Sequence, residues 1–172
     1  MSKYQLRHAV PADTPALVGL IRELAVYEKL EHLVEATPEK LEPQLFGQQP
    51  AAECVVAEVE GRLIGFALFF SNFSTFLAKP GLYLEDLYVQ PAWRGLGAGQ
   101  ALLRYLAALA VERRCGRLDW SVLDWNQTAI DFYQRMGATV MPDWRTCRVT
   151  GDALQDLAQT AAPVNVDKFG RG

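Results

Sequence analysis

Arg94-Gly95-Leu96-Gly97-Ala98-Gly99-Gln100 is the part of this chain best suited to hold a ligand. It joins a strand-like run, Leu82 to Val89, to a helical run that starts at Gln100 and extends to about Arg114. A strand that passes through a glycine turn into a helix aims several backbone N–H groups at one point, and the positive end of the helix dipole reinforces them. Such a point binds phosphate, and Arg94 at its mouth adds a forked, charge-assisted donor. Spacing excludes two familiar phosphate loops. The dinucleotide fingerprint needs a third glycine where Gln100 stands, and the P-loop needs Lys-Ser or Lys-Thr after its last glycine. What remains is Arg-x-x-Gly-x-Gly.

Other residues offer proton chemistry. A carboxylate can take a proton from a reacting group, directly or through water. Glu85 and Asp86 are adjacent on the strand before the loop, where alternation predicts opposite sides, so that only one faces an acceptor. Asn126 and Tyr133 lie seven residues apart, two helical turns, on one face of a helix predicted from Asn126 to Met136. Spacing alone leaves two roles open for each: Asn126 as cap or ligand, Tyr133 as packing aromatic or acid.

The elements that must position these residues follow from periodicity. Tyr4 to His8 alternates like a short strand, and Asp13-Thr14-Pro15 supplies a cap and an early proline for a helix to about Glu28, with Leu17, Leu20, Ile21 and Leu24 as its apolar stripe. A second helix opens at Thr37-Pro38, is limited by Pro43 and ends at Gly47. Glu53 to Val59 and Leu63 to Asn72 read as a hairpin around Glu60-Gly61-Arg62, and Ser74 to Gly81 as a loop able to cover a substrate entrance. Arg117 to Leu123 and Arg145 to Val149 read as strands, Gly137 as a C-cap, Asp152 to Ala161 as a last helix, and 162–172 as a tail. Nothing marks a boundary within residues 1–161, which are expected to form one domain.

Composition narrows the class. At 172 residues and 50% hydrophobic content the chain can bury a core, and its net charge of −3 disfavours nucleic acid while suiting a small cation. No apolar run approaches the roughly 20 residues that span a bilayer, and Met1-Ser2-Lys3-Tyr4 has no signal core, so a cytoplasmic protein is expected. Two histidines and three scattered cysteines, Cys54, Cys115 and Cys147, make no metal cluster.

With Tyr83-Leu84-Glu85-Asp86-Leu87-Tyr88-Val89 upstream and Trp125-Asn126, Ile130-Asp131-Phe132-Tyr133 and Met136-Gly137-Ala138 downstream, the loop resembles that of the GNAT N-acetyltransferases. The similarity runs from Leu6-Arg7 to Trp144-Arg145 and is greatest to the diamine (spermidine/spermine) and thialysine branch. It implies an α/β (α+β) fold, with a mixed, mostly antiparallel sheet of about six or seven strands and helices on both faces. It also implies acetyl-CoA as cofactor, a small primary amine as substrate, and a homodimer.

By the same resemblance, Leu87, Tyr88 and Val89 pair with the pantetheine arm, and Arg94, Gly95, Leu96, Gly97, Ala98, Gly99 and Gln100 hold the pyrophosphate. Asn126, Gln127, Thr128, Ala129 and Tyr133 line the coenzyme. Glu85 is implied as a water-mediated base and Tyr133 as the acid. Tyr27, Glu28, Glu85, Asp86, Asp119, Trp120, Ser121 and Asp143 are implied around the substrate. Acetylation of proteins or peptides, and a coenzyme-binding module without turnover, stay open.

Overall fold

A computed structural model describes residues 4–159 and 161. The chain divides into two compact units, Met1–Phe132 and Tyr133–Gly172. The first is built on β1 (Gln5–His8), α1 (Thr14–Glu28), α2 (Pro38–Phe46), β2 (Glu53–Val59), β3 (Arg62–Ser74), β4 (Lys79–Val89), α3 (Ala98–Glu112) and β5 (Leu118–Trp120). The strands form one sheet in the order β1-β2-β3-β4-β5, antiparallel up to β4 and parallel between β4 and β5. Five strands are present among the described residues, against the six or seven expected. Arg145–Val149 has no ladder partner there and is irregular rather than extended in a sheet.

The core sits on both faces of this sheet. Leu17, Leu20 and Leu24 of α1 and Leu45 of α2 pack with Cys54, Val56, Phe66 and Tyr88. Leu102, Leu106 and Ala110 of α3 are buried against the opposite face. Glu60 and Gly61, at φ 49° and 80°, make the two-residue turn between β2 and β3, a conformation that glycine adopts without strain.

Several expectations are corrected. Ser74 to Gly81 is not a loop, because β3 and β4 stay paired out to Ser74 and Lys79 and leave only Thr75 to Ala78 as the turn. Proline lacks only the donor: the Pro80 carbonyl still accepts from Gly116 N–H at 2.7 Å. Asp13 does not cap α1 with its side chain. Its carboxylate accepts instead from Arg7 Nη1 and Nη2, at 2.6 and 2.9 Å, and from Val10 N–H at 2.8 Å. Pro43 lies inside α2, which runs on to Phe46, and β5 is shorter than the run from Arg117 to Leu123.

α4 (Gln127–Arg135) contains the boundary between the units. In the second unit it closes as expected at Gly137, φ 93°, with Ala138 N–H donating to the Tyr133 carbonyl and Gly137 N–H to that of Gln134. α5 (Gly151–Gln159) follows. The tail expected over 162–172 lies outside the described residues.

Candidate active site

β4 loses its neighbour β5 after Leu84, just before Glu85 and Asp86. β5 pairs with it only at Leu82, Tyr83 and Leu84, and the ladder with β3 slips at the next residue: Leu84 faces Phe69 and Asp86 faces Leu68. Glu85 is therefore the extra residue of a β-bulge, and two carboxylates oppose one residue of β3. This interrupts the alternation that would send Glu85 and Asp86 to opposite sides. Gln90 N–H donates to the Ile64 carbonyl at 2.9 Å, which fixes the parity of the ladder. Tyr88 bonds toward β3, so Leu87 and Val89 turn their amides and carbonyls toward the side that β5 has left.

The bulge produces an acidic centre. Asp86 is largely buried, and its carboxyl is pushed up to about 6, first by burial and then by the negative charges of Glu85 and Glu28. Burial also raises Glu28, the last residue of α1. Glu85 is exposed. A cation placed among these three groups relieves the repulsion that raises Asp86.

The glycine loop continues from β4. Gly95 and Gly97 have φ of 76° and 87°, a left-handed conformation costly for residues with a Cβ, and Gly97 is the N-cap of α3. Ala98 is buried while Arg94 to Gly97 are exposed, so the start of α3 is an open helix N-terminus. Arg94 turns back toward the strand: its Nε donates to the Val89 carbonyl at 2.9 Å, and its guanidinium lies 5.0 Å from the ring centre of Tyr27 and 5.6 Å from that of Tyr88.

Tyr27 links this loop to the start of α4. Its hydroxyl donates to Asn126 Oδ1 at 3.3 Å, and the same oxygen accepts the Ala129 N–H at 3.2 Å. Buried Asn126 is thus a cap held in place from α1. Gln127 Nε2 donates to Asp131 across one helical turn, at 2.6 Å, and Thr128 is exposed. Tyr88 sends its hydroxyl to Glu23 at 3.2 Å, which leaves its main chain, not its ring, for the open edge.

The remaining expected residues divide. Asp119 is paired with Arg117 at 2.6 Å, and Ser121 Oγ lies 2.7 Å from Tyr83 Oη. Trp120 pairs with Leu84, and alternation turns it to the face opposite Asp119. Tyr133, half-buried, and Asp143, exposed, belong to the second unit. The residues that sequence reasoning passed over are Arg117, Phe70 and Asn72. Period-two spacing from Asp119 pointed to Arg117, but Phe70 and Asn72 needed the β3 register.

A strand edge opened beside a bulge and running into a glycine loop at a helix N-terminus can hold an extended, anion-bearing ligand. Residues 20–138 match the model of the acetyltransferase (GNAT) family. The chain is 35% identical to L-ornithine N5-acetyltransferase NATA1 of Arabidopsis thaliana, over 89% of this chain and 87% of that protein. It is 36% identical to thialysine N-epsilon-acetyltransferase of Bos taurus, over 92% and 99%. Among solved structures, an integron cassette protein from the mobile metagenome of V. cholerae superposes with a TM-score of 0.78 at 28% identity, covering 93% of this chain and 99% of the other. The chain belongs to the GNAT family of N-acetyltransferases. Enzymes of this family in general use acetyl-CoA.

Proposed function

We propose that this enzyme transfers the acetyl group of acetyl-CoA to a primary amine of a small cationic substrate, a diamine, polyamine or lysine-like amino acid. The observation that carries the reading is the coincidence of the β4 bulge with the loss of β5. Together they leave the Leu87 main chain and the Val89 N–H on an unpaired strand edge and set Glu85 and Asp86 within the field of Glu28. The residues fit the coenzyme. The open edge matches a pantetheine arm that pairs as a strand does, and Arg94 through Gln100 offer amides and a cation to the diphosphate.

When bound, acetyl-CoA supplies an acetyl group activated as a thioester. The chain does the rest. An outward N–H of the β4 edge faces the thioester oxygen as charge develops there. Glu28 and Asp86 attract the ammonium, and exposed Glu85 accepts its proton through a water. Tyr133 would hold a proton for the coenzyme sulfur, and Asn126 to Ala129 would line the coenzyme at the start of α4. This reading joins residues 1–161 in one catalytic domain and makes the molecule a homodimer. Apolar residues exposed in the second unit, Trp144 and, in α5, Leu154 among them, support a covering copy.

The test is thiol release from acetyl-CoA with a panel of amines and peptides. Release with small diamines or basic amino acids supports the proposal. Release only with peptides points to a protein acetyltransferase, and coenzyme binding without release for any acceptor points to a binding module.

A further inference from the structure

β5 carries an ion pair that this transfer scheme does not use. Arg117 Nε lies 2.6 Å from the Asp119 carboxylate, and both side chains are partly exposed. The register fixes where the pair points. Asp119 is the partner of Tyr83, and Tyr83 of Phe70, so the three form one row across β5, β4 and β3. Phe70 and Tyr83 stack in it with ring centres 5.2 Å apart. Alternation brings Arg117 and Ser121 to the same face, in agreement with the Ser121–Tyr83 hydrogen bond. The neighbouring row holds Asn72 and Gly81, where a Cβ on the glycine would lie 2.3 Å from Asn72 Oδ1 and 3.4 Å from Arg117 Cγ. Lack of a side chain at Gly81 thus seats the Arg117 stem beside Asn72.

Asp86 shares this face. Its partner Leu68 and Tyr83's partner Phe70 are two residues apart on β3, which puts the rows of Asp86 and Asp119 about 7 Å apart along the strands. The acidic centre and the ion pair therefore lie in neighbouring rows of one face, beside the stacked rings of Phe70 and Tyr83. We infer that Arg117 and Asp119 read the head group of the acceptor, Arg117 taking an α-carboxylate and Asp119 an α-ammonium. The acceptor is then an α,ω-diamino acid, acetylated at its side-chain amine beside Glu85 and Asp86. A bare diamine offers a second ammonium and no carboxylate, so Asp119 can still meet it but Arg117 adds only repulsion. The inference rests on the acetyltransferase reading above.

Steady-state kinetics of the full chain with L-ornithine, L-lysine, putrescine and cadaverine test it. The wild type should favour the amino acids. Arg117→Met should lower their kcat/KM at least about tenfold, mainly through KM, and leave or raise that of the diamines, while Arg117→Lys restores part of the loss. An unchanged preference in Arg117→Met, or an equal fall for all four substrates in a variant whose melting temperature is unchanged, overturns the inference. Equal effects would fit a charge that merely guards an edge strand. If Arg117→Met does not fold, Arg117→Gln replaces it, with the same selective loss expected. Absence of turnover by the wild type with every amine refutes the small-amine reading itself.

Discussion

Asp86 is the residue at which stability and chemistry oppose each other. Its carboxyl titrates near pH 6 in the fold because burial, Glu85 and Glu28 disfavour its charge. The folded state therefore holds this proton more tightly than the unfolded chain. Stability falls as pH rises from the ordinary carboxylate range to about 6, and above that the ionised group costs on the order of 2 to 3 kcal/mol. Asp86→Asn should raise the melting temperature at pH 7.5, by roughly 5 °C, and weaken capture of the ammonium. Thermal melts against pH and kcat/KM profiles check both: in the wild type kcat/KM should drop as pH falls through about 6, and the variant should lose that limb. For Tyr133→Phe the expected loss is in kcat, about 10²-fold, with coenzyme affinity unchanged. An unaltered kcat removes the acid role. The sequence displayed both carboxylates but not their geometry. Strict alternation predicts opposite sides for Glu85 and Asp86, and the bulge that overrides it depends on how β4 meets Leu68 and Phe69, which lie far away in the chain.

At the scale of elements, the turn between β4 and α3 and the connection between β1 and α1 each depend on one residue. Gly97→Ala forces a Cβ into a left-handed cap at a cost of about 1 kcal/mol, and it should weaken coenzyme binding more than it lowers stability, as paired calorimetric titrations and melts would reveal. Arg7 bridges the nearly buried carboxylates of Asp13 and Glu58, so Arg7→Ala should cost about 2 kcal/mol in denaturant unfolding. Asp13 is held below its usual range by Arg7, and the stabilisation this gives is present above that range and lost as pH falls through the lowered value. Helices were the legible elements, because α1 and α3 carry long apolar stripes with clear ends. The β3–β4 hairpin was not, since Pro80 and Gly81 read locally as breakers. It is tertiary hydrogen bonds, Gly116 to Pro80 and Leu82 to the Arg117 carbonyl, that keep them in the sheet.

For the whole molecule, the net charge of −3 and the acidic centre suit a cationic acceptor, and no helix among the described residues is long and apolar enough to cross a membrane. A homodimer predicts a sedimentation mass twice the 19.2 kDa of the chain. The family could be read from the glycine loop and its flanks, whereas the row that brings Asp119, Tyr83 and Phe70 together depended on a register that only the folded sheet supplies. Everything rests on the diphosphate being gripped between residues 94 and 100. The direct measurement is equilibrium titration with CoA, acetyl-CoA and a pantetheine fragment that lacks the diphosphate, on the wild type and Arg94→Ala. Saturable binding of CoA and acetyl-CoA, much weaker binding of the fragment and a loss in Arg94→Ala are predicted. Equal affinity for fragment and coenzyme, or no affinity for either, would contradict the account.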